Sequence, residues 1–280
     1  MTSSPDLPTP LRFSVVGPGR VGSSLAHWIV AHGGTLKRVA GRNIDSAREL
    51  AAELSATAVE FDRLTSIDDD LLLIAVSDSA LEEVAVSLAR RPQAKVVLHT
   101  SGRAAASILA PLRIAGSTIG SIHPLRAFPR TLTECGTAEG TVFALDGDGA
   151  ATSLARRLVA AWGGVAVEVP PEARPLYHLA ATLAAGGITT LLASAYELAD
   201  RLGLPPEIKA GYLHLALGAL HQVESTNDVA AAITGPVARG DLEGFEAQLR
   251  QLRKLDEDLA DLIEKLAART LHHRPTASDP

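Results

Sequence analysis

Short apolar runs alternate with amphipathic or alanine-rich stretches along the first 170 residues. Leu11–Val16 reads as a buried strand and Ser23–His32 as the helix after it. Leu36–Ala40 and Asp45–Leu54 repeat the pair. Leu71–Val76, Lys95–His99, Thr118–Ile122, Thr141–Leu145 and Val165–Val169 are further strands, and Ser79–Arg90 and Ala150–Ala161 further helices. Such alternation predicts an α/β domain with a mainly parallel sheet covered on both faces. Beyond Pro170-Pro171 the apolar spacing is helical throughout. Ala173–Leu202, Pro205–Val223, Asp228–Thr234 and Asp241–Thr270 read as helices, with prolines opening the second and Gly203 stopping the first. The expected organisation is a Rossmann domain over 11–170 and an all-α domain over 171–270, followed by a frayed tail, His272–Pro280.

Composition narrows the function classes. With 46% hydrophobic and 21% charged residues the 280-residue chain is globular rather than disordered. A net charge of -6 argues against nucleic acid as a partner, because a nucleic-acid reader needs a basic face. The single cysteine, Cys135, allows no intramolecular disulfide and no cysteine cluster for a metal. Met1–Pro10 is polar and proline-rich, without the basic and apolar regions of a signal peptide, so a cytoplasmic location is expected. Pro175–Tyr196 has no Asp, Glu, Lys or Arg and nearly bilayer-spanning length, but its alanines, glycines and threonines favour a helix buried against other helices over a membrane span.

Gly17-Pro18-Gly19-Arg20-Val21-Gly22 is a G-x-G-x-x-G placed between a strand and a helix. In that context Gly17 makes the tight turn, Gly19 lets backbone approach a pyrophosphate, and Gly22 permits close helix–strand contact. The helix start, with Arg20 and Val21, then offers free N–H groups and the positive dipole end to phosphate. A glycine-rich turn without ligand is the competing reading. The second strand ends in Gly41-Arg42-Asn43, with no acid for a ribose 2′-hydroxyl. Arg42 suits a 2′-phosphate, which favours NADP(H), unless it is only a solvated loop residue. Strand ends carrying Ser77, Thr100 and Ser101 are expected beside the nicotinamide ribose or carboxamide, and Asp78 or Ser79 as the cap of the following helix.

Three further strings carry a family resemblance: Gly120-Ser121-Ile122-His123-Pro124-Leu125-Arg126-Ala127-Phe128-Pro129, Tyr177-His178 before a small-residue helix, and Thr234-Gly235-Pro236-Val237-Ala238-Arg239-Gly240-Asp241. With the glycine loop they resemble Rossmann-like oxidoreductases whose C-terminal half is the domain of unknown function 2520, over roughly residues 11 to 270. That family is similar to pyrroline-5-carboxylate reductases, ketopantoate reductases and the 6-phosphogluconate dehydrogenase superfamily. The resemblance implies a helical dimerisation domain of the 6-phosphogluconate dehydrogenase C-terminal kind and a homodimer. It also implies a site between domains and a small oxo- or imino-acid substrate, ketopantoate first and a proline-type imine second. It further implies an Asn after the small-residue run, where this chain has Gly186.

Reduction of a carbonyl or imine needs a polarising group, a proton and a hold on any carboxylate. His123, at a strand end, is either a general acid or a fixer of the turn before Pro124. His178 lies on one helical face with Arg174, four residues earlier, so the pair either orients a carbonyl and carboxylate or is a buried histidine with a structural neighbour. Proton delivery is assigned to His178, with His123 as the rival. Arg239 reaches a substrate carboxylate or a partner subunit, and Asp241 caps the last helix. His214 and His221 share a helix face, but nothing near them completes a metal site. The competing function class is a cofactor-binding sensor or interaction module without turnover.

Overall fold

The computed structural model describes residues 11–91, 94–129 and 136–273. Met1–Pro10, Cys135 and the tail from residue 274 lie outside the described residues. The chain divides into two compact units, residues 1–185 and 186–280.

In the first unit, β1 (Arg12–Val16), β2 (Thr35–Gly41), β3 (Thr57–Glu60), β4 (Leu71–Ile74), β5 (Val96–His99), β6 (Thr118–Pro124), β7 (Val142–Gly147) and β8 (Val165–Glu168) form one sheet in the order β3-β2-β1-β4-β5-β6-β7-β8. Every pairing is parallel except β6 with β7. The chain leaves β1 towards β2 on one side and reaches β4 on the other. That reversal opens a crevice at the strands' carboxyl ends, where open α/β sheets bind ligands. Helices α1 (Arg20–Ala31), α2 (Ile44–Glu53), α3 (Leu81–Leu88), α4 (Ala110–Ile114) and α5 (Gly149–Ala161) separate the strands. Two apolar clusters fill the unit. One gathers Phe13, Leu25, Trp28, Phe143 and Leu158, and the other Val16, Leu72, Leu88, Val97 and Leu109.

β3 is absent from the hydropathy reading. Its Thr-Ala-Val-Glu is short, borders the sheet and buries no residue fully, so it lacks an apolar run. After β8 no strand occurs among the described residues, as the helical spacing predicts. The helix foreseen over Ala173–Leu202 comprises α6 (Arg174–Thr182), a π-helical turn (Leu183–Gly187) that holds Gly186, and α7 (Ile188–Arg201). The expectation that this helix is buried fails within the chain. It is the one helix among the described residues long and apolar enough to cross a membrane, by length and composition, and none of its apolar window is buried.

The second unit continues with α8 (Glu207–Thr226), α9 (Val229–Ala232), α10 (Pro236–Arg239), α11 (Leu242–Leu255) and α12 (Glu257–His272). α11 and α12 replace the single helix expected over Asp241–Thr270. Asp256 adopts extended backbone (φ -158°, ψ 100°), and its carboxylate accepts the Leu259 N–H at 2.9 Å, capping α12. The two helices then pack on one another, and Arg253 of α11 bridges Asp261 and Glu264 of α12. The apolar period runs on through the break, which hides it from sequence. Asp241 caps α11 through the Gly244 N–H, as its position predicts.

Candidate functional site

The glycine loop turns at Gly17, whose φ of +95° is a left-handed value that glycine alone adopts without strain. Its N–H donates to the Ala40 carbonyl of β2 at 2.8 Å, tying the loop to the neighbouring strand. A Cβ on Gly17 would stand 2.4 Å from the Ala75 carbonyl oxygen, and one on Gly22 2.2 Å from the Gly17 oxygen. Both positions are therefore closed to any other side chain. At Gly19 a Cβ would meet nothing within 4 Å, so the space over the start of α1 is open. No side chain caps that helix and no acid lies in its first turn. Open space, uncapped N–H groups and a positive dipole end suit the pyrophosphate of a dinucleotide.

The opening widens into a cavity of about 1090 Å³ lined by Gly19, Arg42, Asn43, Asp62 and Ser77, among others. Arg42 is exposed on its wall. Asn43 spends its carboxamide oxygen on the Asp45 N–H at 2.9 Å and so caps α2. Ser77 shares a hydrogen bond with Ser79 at 3.2 Å on the opposite wall. Arg20 points from the start of α1 to the Phe128 carbonyl at 3.5 Å, while Val21 packs against the core and leaves only its backbone for a ligand. Asp62, in the 3-10 turn (Phe61–Arg63) after β3, went unnoticed in sequence because β3 did.

A second polar cluster sits at the ends of β5 and β6, with α6 supplying its far side. The His123 ring of β6 is 2.9 Å through Nδ1 from the Tyr177 hydroxyl of α6, with the two rings edge-on at 5.6 Å. His178 stands 5.5 Å from His123, also edge-on. Gly102 wedges against both: a Cβ there would lie 2.4 Å from His178 Nδ1 and 2.7 Å from His123 Nε2. Burial, the neighbouring His178 and the Arg174 charge push the His123 imidazole down to about 4, against the opposing pull of Asp78. His123 is thus neutral at pH 7, and its ring faces the Tyr177 hydroxyl. Burial raises the Tyr177 phenol above its usual value, with Arg174 opposing.

Arg174 departs furthest from its expected role. It has no exposed surface, and its one hydrogen bond runs from Nη2 to the Ser101 carbonyl at 2.9 Å. A group sealed from solvent does not touch a substrate carboxylate, so Arg174 instead fixes the loop after β5. Its Nε and Nη1 have no partner, and neither do His178 Nδ1 and the Ser121 hydroxyl. Ser101 is likewise occupied. Its hydroxyl accepts the Ala104 N–H at 2.9 Å and bonds Asp78, and its N–H donates to His99 Nδ1 at 3.1 Å, which leaves it no role on a ribose. Thr100, half-buried beside it, bonds the Ile74 carbonyl through its backbone N–H.

Asp78 does not cap α3, whose N-cap is Ala80 without a side-chain bond. It pairs with Arg103 at 3.3 Å. Burial pushes its carboxyl up, yet the Ser101 hydrogen bond and the Arg103 guanidinium outweigh this and hold it below the ordinary value. His99, fully buried on β5, had no sequence signal beyond an apolar strand. Burial and Arg174 drive it down to about 3, and Nε2 faces the Ala105 carbonyl at 3.3 Å. Arg239, in the second unit, is exposed at the last position of the one-turn α10. His214 and His221 are exposed on α8, and His221 pairs with Glu224 at 3.2 Å.

Solved structures share this architecture. A Thermotoga maritima protein is 25% identical, covering 92% of this chain and 97% of its own, with a TM-score of 0.70. A Bacteroides fragilis protein provisionally named an NADP oxidoreductase is 22% identical over 93% of this chain and 98% of its own, at TM-score 0.78. An imine reductase from Myxococcus stipitatus, solved with NADP+, is 17% identical over 93% and 94%, at 0.65. No curated protein matches the chain by sequence. Residues 2–124 match the Rossmann-like domain and residues 141–270 the domain of unknown function DUF2520. The chain is a Rossmann-like domain followed by a DUF2520 domain.

Proposed function

We propose that the protein is an NADP(H)-dependent oxidoreductase that reduces a small oxo- or imino-acid and works as a homodimer. The observation that carries the reading is the glycine loop opening, at Gly19, into the cavity that Arg42 lines. Strand order adds support. Arg42 follows β2, the glycine loop follows β1, and Ser77, Thr100 and His123 lie at the ends of β4, β5 and β6. β1 and β6 are three strand spacings apart, or roughly 14 Å. An extended dinucleotide would lay its adenosine end by β2, its phosphates on α1 and its reactive end towards β5 and β6. A bound nicotinamide supplies the hydride. The chain's own groups bind phosphate at α1, hold the 2′-phosphate at Arg42 and face the substrate with Tyr177 and His123.

The names of the Bacteroides fragilis and Myxococcus stipitatus proteins agree with this cofactor, and the latter turns the substrate panel towards imines as well as ketopantoate-like acids. Asp62 on the same wall is the rival recognition element, since an acid there would take a ribose 2′-hydroxyl. Fluorescence titration decides between them. NADPH is expected to bind at least about tenfold more tightly than NADH, the worth of one charge-assisted contact. Arg42→Ala should narrow the gap, and equal affinities in the unaltered protein would refute the assignment. Tight NADPH binding with no turnover of 2-oxo acids or cyclic imines would select the sensor instead.

A further inference from the structure

We propose that Tyr177, held by His123, delivers the proton to the reacting oxygen or nitrogen, with the buried Arg174 charge stabilising the phenolate left behind. The inference rests on the reductase reading above. The polar groups at the ends of β5 and β6 differ in what they can do. Arg174 is sealed from solvent. His178 keeps some exposure, but its Nδ1 is buried with no partner, so nothing fixes its tautomer or aims its ring. An effective acid needs an orienting neighbour. Tyr177 is half-buried, reachable from solvent, and has one: His123 Nδ1 at 2.9 Å.

The productive tautomer carries its proton on His123 Nδ1, which donates to the Tyr177 oxygen. The phenol proton is then free to point away from His123, towards a substrate. As hydride from a reduced nicotinamide reaches the acceptor carbon, the C=O or C=N π pair moves onto the heteroatom. That atom takes the Tyr177 proton, and the phenolate is reprotonated from water. Between those events the phenolate faces the His123 Nδ1–H and the guanidinium of Arg174. This gives a reason for a fully buried arginine whose only hydrogen bond goes to a carbonyl, leaving two nitrogens unpartnered. Asp146 already acts on the Arg174 charge and Tyr177 after it, so a phenolate on Tyr177 adds a second counter-charge to a buried cation. The charged or titratable groups around the pair are Arg174, His178, Asp78, His99 and Asp146, and His123 stays neutral among them at pH 7.

The test has two arms. Nitrogen-15 NMR of the imidazole should show His123 protonated at Nδ1, with that signal shifted in Tyr177→Phe. A His123 protonated only at Nε2 would tie up the phenol proton and overturn the proposal, whatever the activity. In the second arm, turnover is measured on 2-oxo acids and cyclic imines. Tyr177→Phe should lose about a hundredfold or more in kcat while NADPH affinity and melting temperature hold, and His123→Ala should lose less. Retained turnover in Tyr177→Phe, or a larger fall in His178→Ala, sinks the assignment of Tyr177 and leaves the reductase reading standing. An unaltered protein that binds NADPH but turns over nothing takes both down.

Discussion

The sheet layers of the first unit and the helices from α6 onward treat their leucines in opposite ways. In the first, Leu25, Leu71, Leu81, Leu98 and Leu112 have at most 1% of their surface exposed. In the second, Leu215 is 73% exposed, Leu202 55% and Leu217 52%, and among the described residues the buried apolar side chains are Ala199, Val237 and Ala260. A sheet layered with helices closes its own core. The helices of the second unit keep apolar faces that the chain does not cover, as do Leu176, Leu179 and Leu183 along α6 and the π turn. The homodimer proposed above would cover these faces, since a chain in water rarely exposes so much contiguous apolar surface. The sheet of the first unit therefore closes its own core, whereas the helices from α6 onward leave apolar faces open.

The largest effect should come from breaking that cover. If Leu215 packs in the proposed dimer, Leu215→Glu removes roughly 2 kcal/mol of burial in each copy and adds a charge, so the proposed dimer should weaken on the order of a thousandfold. Light scattering across micromolar concentrations reads this directly. An unaltered protein that is monomeric there would remove the premise. In the first unit, Leu98→Ala should instead cost about 2–5 kcal/mol of unfolding free energy without changing assembly.

Acid should strike the first unit. In an unfolded chain an imidazole titrates near 6.5. In the fold His99 falls to about 3 and His123 to about 4, chiefly through burial. Between those values the unfolded chain takes up protons that the folded chain refuses. The stabilisation is therefore whole above pH 6.5 and drains away as pH falls towards 4. At pH 5 each histidine gives up about 2 kcal/mol, from 1.5 pH units at about 1.36 kcal/mol each. Both tryptophans, Trp28 and Trp162, belong to the first unit, so denaturant curves followed by their fluorescence report on it. The midpoint should drop between pH 7 and pH 5, and His99→Asn should remove about half of the slope. A midpoint that stays level would mean that the two rings are solvated.

What was legible in sequence follows the range of the interaction. The glycine loop could be read because its steric demands fall on neighbouring positions: Gly22 collides with Gly17, five residues before it. The caps at Asp241 and Asn43 are equally local. The Tyr177–His123 bond joins residues 54 apart, and Gly102 meets two rings that sequence placed in unrelated segments. Arg174 looked like a cleft cation because helical spacing gives the face it shares with His178 but not its depth. Asp78 looked like a cap because its partner, Arg103, is 25 residues away. β3 and the break at Asp256 escaped for other reasons: β3 offers no apolar run to read, and the apolar period runs on through Asp256.

Glycines give the smallest and most pointed contrast. Gly22 in α1 is bounded by the Gly17 carbonyl at 2.2 Å and the Ala75 side chain at 3.0 Å from an added Cβ. The first of these is backbone and cannot swing aside, so Gly22→Ala must push α1 off the loop, at about 1–3 kcal/mol. Gly218 of α8 faces nothing within 4 Å. In an exposed helix interior a glycine costs about 0.8–1 kcal/mol relative to alanine, so Gly218→Ala should raise stability by up to that amount. The sign of the effect thus differs between the units, because one has filled its space and the other has not. Thermal unfolding at two protein concentrations separates the outcomes. If the partner copy packs directly on Gly218, the added methyl weakens association, and the gain seen at low concentration turns to a loss at high concentration. If Gly22→Ala melts like the unaltered protein, the close approach of α1 to the glycine loop is wrong, and the phosphate site built on it goes too.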